Sequence, residues 1–457
     1  MSEAPRLMSL IACEHCGSVF QRHVLSRGET ATCTRCATQL WRFSALGPPQ
    51  WLALVATALI VFAIANAFPV ASMSVQGMTQ DATLLDAISI TWRQGHELVS
   101  IMTGLAGFAL PLFQLLLLAW VLLPLAAGRR APGFSTSLRL LGVLGPWCMV
   151  PVFLLGVLVS VVKLAGMASV APGVGLGAFF ILTIFLTLVG RLSPHTIWHY
   201  AEEAGVADVH MPAAGPGEAL TGCHVCGQVQ AIAVPHTHGD DHSDGDGLDS
   251  DSPEATAAHR CIRCNAHVHF RKPDHLTRTW AFLLAAVVLY IPANVLPVMQ
   301  IDSLLGDSAH TILGGVIELW QGGSWDLAAI VFVASVVVPM TKLLSLAVLA
   351  WKVQTRTGGN LRQRTRMYEI VELIGQWSML DVFVVILLAA LANFQGFMQI
   401  SAGAGAAAFG MVVIVTMLAA MSFDPRRAWD YATAEDLEEA QAADPDSRSS
   451  GLETPYA

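Results

Sequence analysis

The chain has 457 residues, 54% of them hydrophobic and only 13% charged, and its mean hydropathy is +0.56. Several apolar runs reach the ~20 residues that cross a hydrocarbon core, which excludes an ordinary string of soluble domains. The net charge of −9 is set by two stretches, 240–254 and 435–453, which hold 14 of the 34 acidic residues and net −13; the remainder sums to +4, and no basic face of the kind that grips nucleic acid is present.

The first residues, MSEAPRLMSLIACEHC, lack the charged-then-apolar pattern of a leader, so the apolar run near Trp51 is expected to be a membrane span. Ahead of it, Cys13-x2-Cys16 is followed sixteen residues later by Cys33-x2-Cys36. Each CxxC places two thiolates on one face of a turn, and two such turns make a tetrahedral S4 site, the structural zinc arrangement. Residues 1–46 are therefore expected to form a first zinc ribbon. Residues 47–202 follow as a membrane module with spans at about 51–70, 98–125, 143–167 and 174–191. Cys148 sits alone in the third of these and reads as packing, whereas Lys163 lies near its outer end, where its stem can snorkel.

A second ribbon is expected in 203–276, from Cys223-x2-Cys226 and, thirty-four residues later, Cys261-x2-Cys264. Its longer loop carries a His/Asp-rich insertion, 236–259, with His236, His238 and His242; it reads as a disordered surface loop, with loose metal binding as the alternative. The second membrane module, 277–431, has spans at about 279–299, 326–350, 371–394 and 404–423, and 432–457 reads as a disordered acidic tail. The outer loops 71–97 and 300–325 carry Leu84, Leu85, Ile88, Trp92 and Ile312, Val316, Leu319, Trp320 at roughly helical spacing. That suits either amphipathic helices on the outer leaflet or ordinary packed loop helices.

With eight spans, 22 of the 25 Lys and Arg residues fall on the side of both termini, and the opposite loops hold only Arg93. The positive-inside rule makes that side cytoplasmic, so all eight paired cysteines are expected in a reducing compartment, which disfavours disulfides. Iron in the same S4 set, or a redox CxxC, stays open on spacing alone. The two halves also align: Cys36, Asn66, Pro69, Trp92 and Pro111 match Cys264, Asn294, Pro297, Trp320 and Pro339 at an offset of 228. Gly145, Trp147 and Phe153 match Gly375, Trp377 and Phe383 at 230, and Trp198 matches Trp429 at 231. Four spans per half make this a parallel repeat about an axis along the membrane normal.

Two ionisable residues lie deep in the second module. Lys342 is about eight residues into span six and Asp381 about ten into span seven, both from the cytoplasmic side, so each is ~12–15 Å deep. Similar depth on successive spans allows an ion pair, with Thr341, Ser378 and Gln376 able to complete a polar network; the first module has Gln114 and Pro151 at the matching positions. Such a pair serves either a functional cavity or helix packing alone. No Walker A, GxSxG or HExxH motif points to an enzyme, and the spans offer no bis-His haem pattern, since only His195 and His199 approach one.

The duplicated ribbon ahead of four spans, ANAFPV (65–70) with ANVLPV (293–298), and PWCMVPVFLLGVLVSVVKL (146–164) with GQWSMLDVFVVILLAAL (375–391) together resemble the paraquat-inducible protein A family. Pro151 departs from the acidic residue expected there. The resemblance implies an all-α inner-membrane protein of Gram-negative bacteria with distantly tetraspanin-like modules. It implies a partnership with an MCE-domain protein that tunnels across the periplasm, and movement of phospholipid between the two membranes. Zinc would sit in both ribbons, and Lys342, Ser378 and Asp381 would line or brace a polar centre. The alternatives are a scaffold that only anchors the tunnel, and a membrane redox protein with iron at its S4 sites.

Overall fold

The computed structural model describes residues 10–22, 25–75, 78–165, 169–208, 212, 214–215, 218–233, 259–303, 307–323, 325–356, 359–375, 379–391 and 398–432. The His/Asp-rich insertion with its three histidines lies outside them, apart from residue 259, as does the acidic tail beyond 432.

Among the described residues, six helical stretches are long and apolar enough to cross a membrane: Pro48–Ala67, Glu97–Ala126, Phe134–Val161, His275–Val295, Ala328–Gln354 and Ala404–Asp430. A seventh candidate is the pair Val174–Val189 and Pro194–Glu203, bent by 59° at the break between them. The expected seventh span, 371–394, appears as two pieces, Leu361–Ile374 and Leu380–Leu391. Its counterpart is broken at the same repeat position: Phe134–Leu144, a 3-10 turn Gly145–Trp147, then Val150–Ala165. Pro146 has no amide hydrogen and restricts the residue before it, so a regular helix cannot run through. The third stretch thus starts nine residues before the expected 143, because Arg139 was read as loop but rides on a helix.

The second span of each half carries a π-helical turn, Gly104–Ala109 and Val333–Val337, just before Pro111 and Pro339. A proline in a helix cancels one ladder bond, and the wider turn absorbs the defect. In the first half the bulge and the break meet: the Met149 amide donates to the Ala106 carbonyl at 3.4 Å.

In the loops that follow the first and third spans of each half, the chain closes a three-stranded antiparallel sheet. Ala71–Val75 pairs with Met78–Ala82 and with Ser169–Pro172; Met299–Ser303 pairs with Ser308–His310 and with Met398–Ala402. Beside these strands, Gly173 and Gly175 donate their amides to the carbonyls of Val70 and Pro69, and Gly403 and Gly405 to those of Val298 and Pro297. A Cβ at Gly173 or Gly403 would collide with the carbonyl of Pro69 or Pro297. The FPV and LPV segments and the two G-x-G segments are therefore one locked joint, used twice.

The two modules meet along their broken helices. Leu380–Leu391 packs on Val150–Ala165, with Phe383 edge-on to Phe153 at 5.5 Å and the Ser160 hydroxyl donating to the Val384 carbonyl at 3.3 Å. Every residue from Val382 to Leu391 is buried. The two outer helices diverge: Leu84–Arg93 packs on Leu380–Leu391 through buried Leu84, Ala87 and Thr91, whereas only Ile312 is buried in Ile312–Gln321, which presents Leu313, Ile317 and Trp320 outward.

Candidate metal centres and intramembrane polar site

Each paired-cysteine segment folds as a hairpin whose turn holds the two sulfurs. In the first, Leu10–Ala12 pairs with Val19–Gln21, the Gly17 amide donates to the Cys13 carbonyl at 2.9 Å, and the Cys13 amide donates to the Ser18 carbonyl at 2.8 Å. The same two bonds recur at Cys33, Cys223 and Cys261. They force the residue after the second cysteine into the left-handed region, at Gly17 (φ +81°), Ala37 (+64°), Gly227 (+72°) and Asn265 (+56°). Glycine and asparagine suit that conformation; alanine is strained there.

The hairpins bring Cys13, Cys16, Cys33 and Cys36 together, and likewise Cys223, Cys226, Cys261 and Cys264, with all sulfurs of a set within 4.8 Å of one another and all eight residues buried. Sulfurs lie 3.4 Å apart for Cys13–Cys36, 3.5 Å for Cys16–Cys33, 3.6 Å for Cys223–Cys264 and 3.5 Å for Cys226–Cys261. The tetrahedron around a metal with ~2.3 Å bonds has edges near 3.8 Å, and a disulfide needs ~2.05 Å. Both sets fit a metal ion. Without one, four thiols so close cannot all ionise: hydrogen bonding with Cys13 pulls Cys16 down while the same contact pushes Cys13 up. Hydrogen bonding with Cys223 likewise pulls Cys261 down and pushes Cys226 up. A cation replaces those protons and removes the conflict.

The ribbons lie against each other and against the membrane modules. Gly222 faces Ala12 so closely that a Cβ would sit 2.7 Å from that methyl. His195 joins the two ribbons, its Nε2 3.1 Å from the His224 carbonyl and its Nδ1 3.5 Å from Glu14. Around them is a cavity of about 1270 Å³ whose lining includes Glu14, His195, His224, Arg271, Glu372 and Asp424. Two of its cations are ion-paired: Arg271 with Asp430, Arg426 with Asp424. The sequence offered no sign of this chamber, since its wall comes from many stretches far apart in the chain.

In the membrane, Lys342 is 3% exposed, and its ammonium finds no hydrogen-bond partner among the described residues. A Cβ on Gly375 would lie 2.9 Å from its Nζ, so the ammonium sits against the break in span seven. Thr341 is on the exposed face of the same helix. Gln376 and Ser378 lie outside the described residues, as do the side chains of Lys163 and Asp381. Gln114, at the position equivalent to Lys342, likewise has a buried, unpartnered Oε1. Cys148 is a free, partly buried thiol at the first-module break.

The architecture defines a polytopic helical membrane protein with two four-cysteine clusters able to hold a metal ion. The chain belongs to the paraquat-inducible protein A family: the description "Paraquat-inducible protein A" matches residues 49–202 and again 276–433, one match per membrane module. Along 441 residues it is 32% identical to the Escherichia coli K12 intermembrane transport protein PqiA, covering 94% of this chain and 98% of that one. It is 28% identical over 429 residues to the Escherichia coli lipophilic envelope-spanning tunnel protein A (92% and 90% covered). It is 26% identical over 430 residues to a probable intermembrane transport protein of Haemophilus influenzae (93% and 96% covered). No solved structure matches.

Proposed function

We propose that this protein is a non-enzymatic inner-membrane subunit that moves phospholipid between the inner and outer membranes with an MCE-domain partner, loading or receiving lipid at the partner's tunnel. The chain would cross the membrane eight times, with Val174–Val189 as span four and the broken Leu361–Ile374 and Leu380–Leu391 as span seven. Both ribbons would be cytoplasmic and hold zinc, with domain limits at 1–46, 47–202, 203–276 and 277–431. The observation that carries this reading is Lys342: a buried ammonium set against a helix break. A charge buried in a span is costly and calls for a partner, and broken spans are where transporters place their polar sites. Ser378 and Asp381 come three and six residues after Gly375 and would supply the chemistry to pair with Lys342 or to handle a lipid phosphate beside it. Relatives matched over nearly their full length and named for intermembrane transport or for an envelope-spanning tunnel support the same reading.

The test is pull-down from native membranes with mass spectrometry of proteins and lipids, alongside complementation by Lys342→Met and Asp381→Asn. An MCE protein with enriched phospholipid, and loss of complementation in both folded variants, is the expected result. Full complementation by both would reduce the protein to a scaffold. Iron and visible absorbance without an MCE protein would move the assignment to a redox protein.

A further inference from the structure

The two ribbons are docked crosswise. The first, which precedes module one, packs on module two: Cys13, Cys16, Cys33, Cys36 and Phe20 form one apolar cluster with Leu361 and Trp429. Arg35, between the two cysteines of the trailing turn, places its guanidinium 5.2 Å from the Trp429 ring and donates to the Trp429 carbonyl at 3.2 Å. Arg362 donates to the Thr34 and Arg35 carbonyls at 2.8 and 3.1 Å, and Glu369 accepts from Thr38 at 2.8 Å. The second ribbon packs on module one in the same way. Arg263, equivalent to Arg35, lies 4.5 Å from the ring of Trp198, equivalent to Trp429, and pairs with Glu202 at 2.5 Å. Both tryptophans are 2% exposed or less.

Each contact thus depends on an arginine held inside a metal loop. Four hydrogen-bonded turns fix the sulfurs, but among the described residues each ribbon is two two-stranded hairpins with no sheet joining them. Side-chain hydrogen bonds, His15 with Thr38 and Gln230 with Arg260 and Ile262, link the hairpins, and a metal would add four bonds across the same seam. We infer that the two metal centres are a cross-brace: metal in the first ribbon holds the cytoplasmic end of module two, and metal in the second holds that of module one, so occupancy sets how firmly the modules are held relative to each other. This inference needs metal in both sites and is independent of what the protein transports.

Amide hydrogen exchange on the full chain in lipid nanodiscs tests it. Cys33→Ser with Cys36→Ser should speed exchange in Leu361–Ile374 and Arg426–Asp430 while leaving Pro194–Glu203 protected. Cys261→Ser with Cys264→Ser should do the reverse. Arg35→Ala and Arg263→Ala keep every ligand: bound metal should stay at wild-type level, with the same crossed pattern at about tenfold faster exchange, the scale of one partly buried cation–π contact. If either ligand pair instead loosens its own module's helices, or if the arginine variants leave exchange at wild-type rates, the cross-brace is wrong. Should a cysteine variant fail to fold, the arginine pair decides alone.

Discussion

Ala37 and Gly17 occupy equivalent places in the two turns of the first ribbon, yet only one has a residue suited to a positive φ. Ala37→Gly should therefore stabilise the metal-loaded ribbon by up to about 1 kcal/mol, since it relieves left-handed strain at some cost in unfolded-chain entropy. Gly17→Ala should destabilise it by about 1–2 kcal/mol. Chelator-driven metal release, followed with a chromogenic dye, reads both: the alanine variant should release sooner and the glycine variant later than wild type. The cysteine sets were legible in the sequence because spacing alone places thiolates in a turn. The seats of Arg35 and Arg263 were not, although both repeat at the offset that aligns Cys36 with Cys264. An arginine inside a metal loop has no periodicity, and its tryptophan lies hundreds of residues away or across an irregular linker.

At the level of elements, hydropathy located most of the spans, because the bilayer demands long apolar runs whatever the tertiary packing. It could not find the breaks. Gly145-Pro146 and Gly375 sit inside apolar runs that read as continuous, and the two π-helical turns leave no trace but a proline. The outer sheets were also missed; their strands are three to five residues long and mix Ser, Thr and Gln with apolar residues, so no alternation stands out. The helices at Leu84–Arg93 and Ile312–Gln321 were visible from spacing; that one would be packed and the other exposed was not. The joint between Pro297 and Gly403 makes a sharp prediction. Gly403→Ala drives a methyl into a backbone carbonyl that cannot move without opening the sheet, and should cost about 3 kcal/mol or more. Gly173→Ala should do the same in the other half, whereas Gly177→Ala, where a Cβ meets open space, should be silent. Detergent-solubilised melting curves for the three variants compare them directly.

For the whole molecule, duplication was readable because Trp, Pro and Cys stay in register, and the family description matches the two modules separately. The Val150–Ala165 and Leu380–Leu391 pairing packs equivalent helices of the two halves against each other. The proposed topology predicts that alkaline phosphatase fused after Gln94 or Ser308 is active, and that fusions after Gly128 or Gly359 are inactive. With the Ser308 fusion active, an active fusion after Gly359 would remove span six from the membrane.

The crosswise docking sets an order of events during synthesis. Arg35 leaves the ribosome 394 residues ahead of the tryptophan it rests on. At ~5–20 residues per second that is roughly 20–80 s in which the first ribbon has no seat. Through that interval the apolar face that Cys13, Cys16, Cys33, Cys36 and Phe20 share with Leu361 and Trp429 in the finished chain has no partner from the second module.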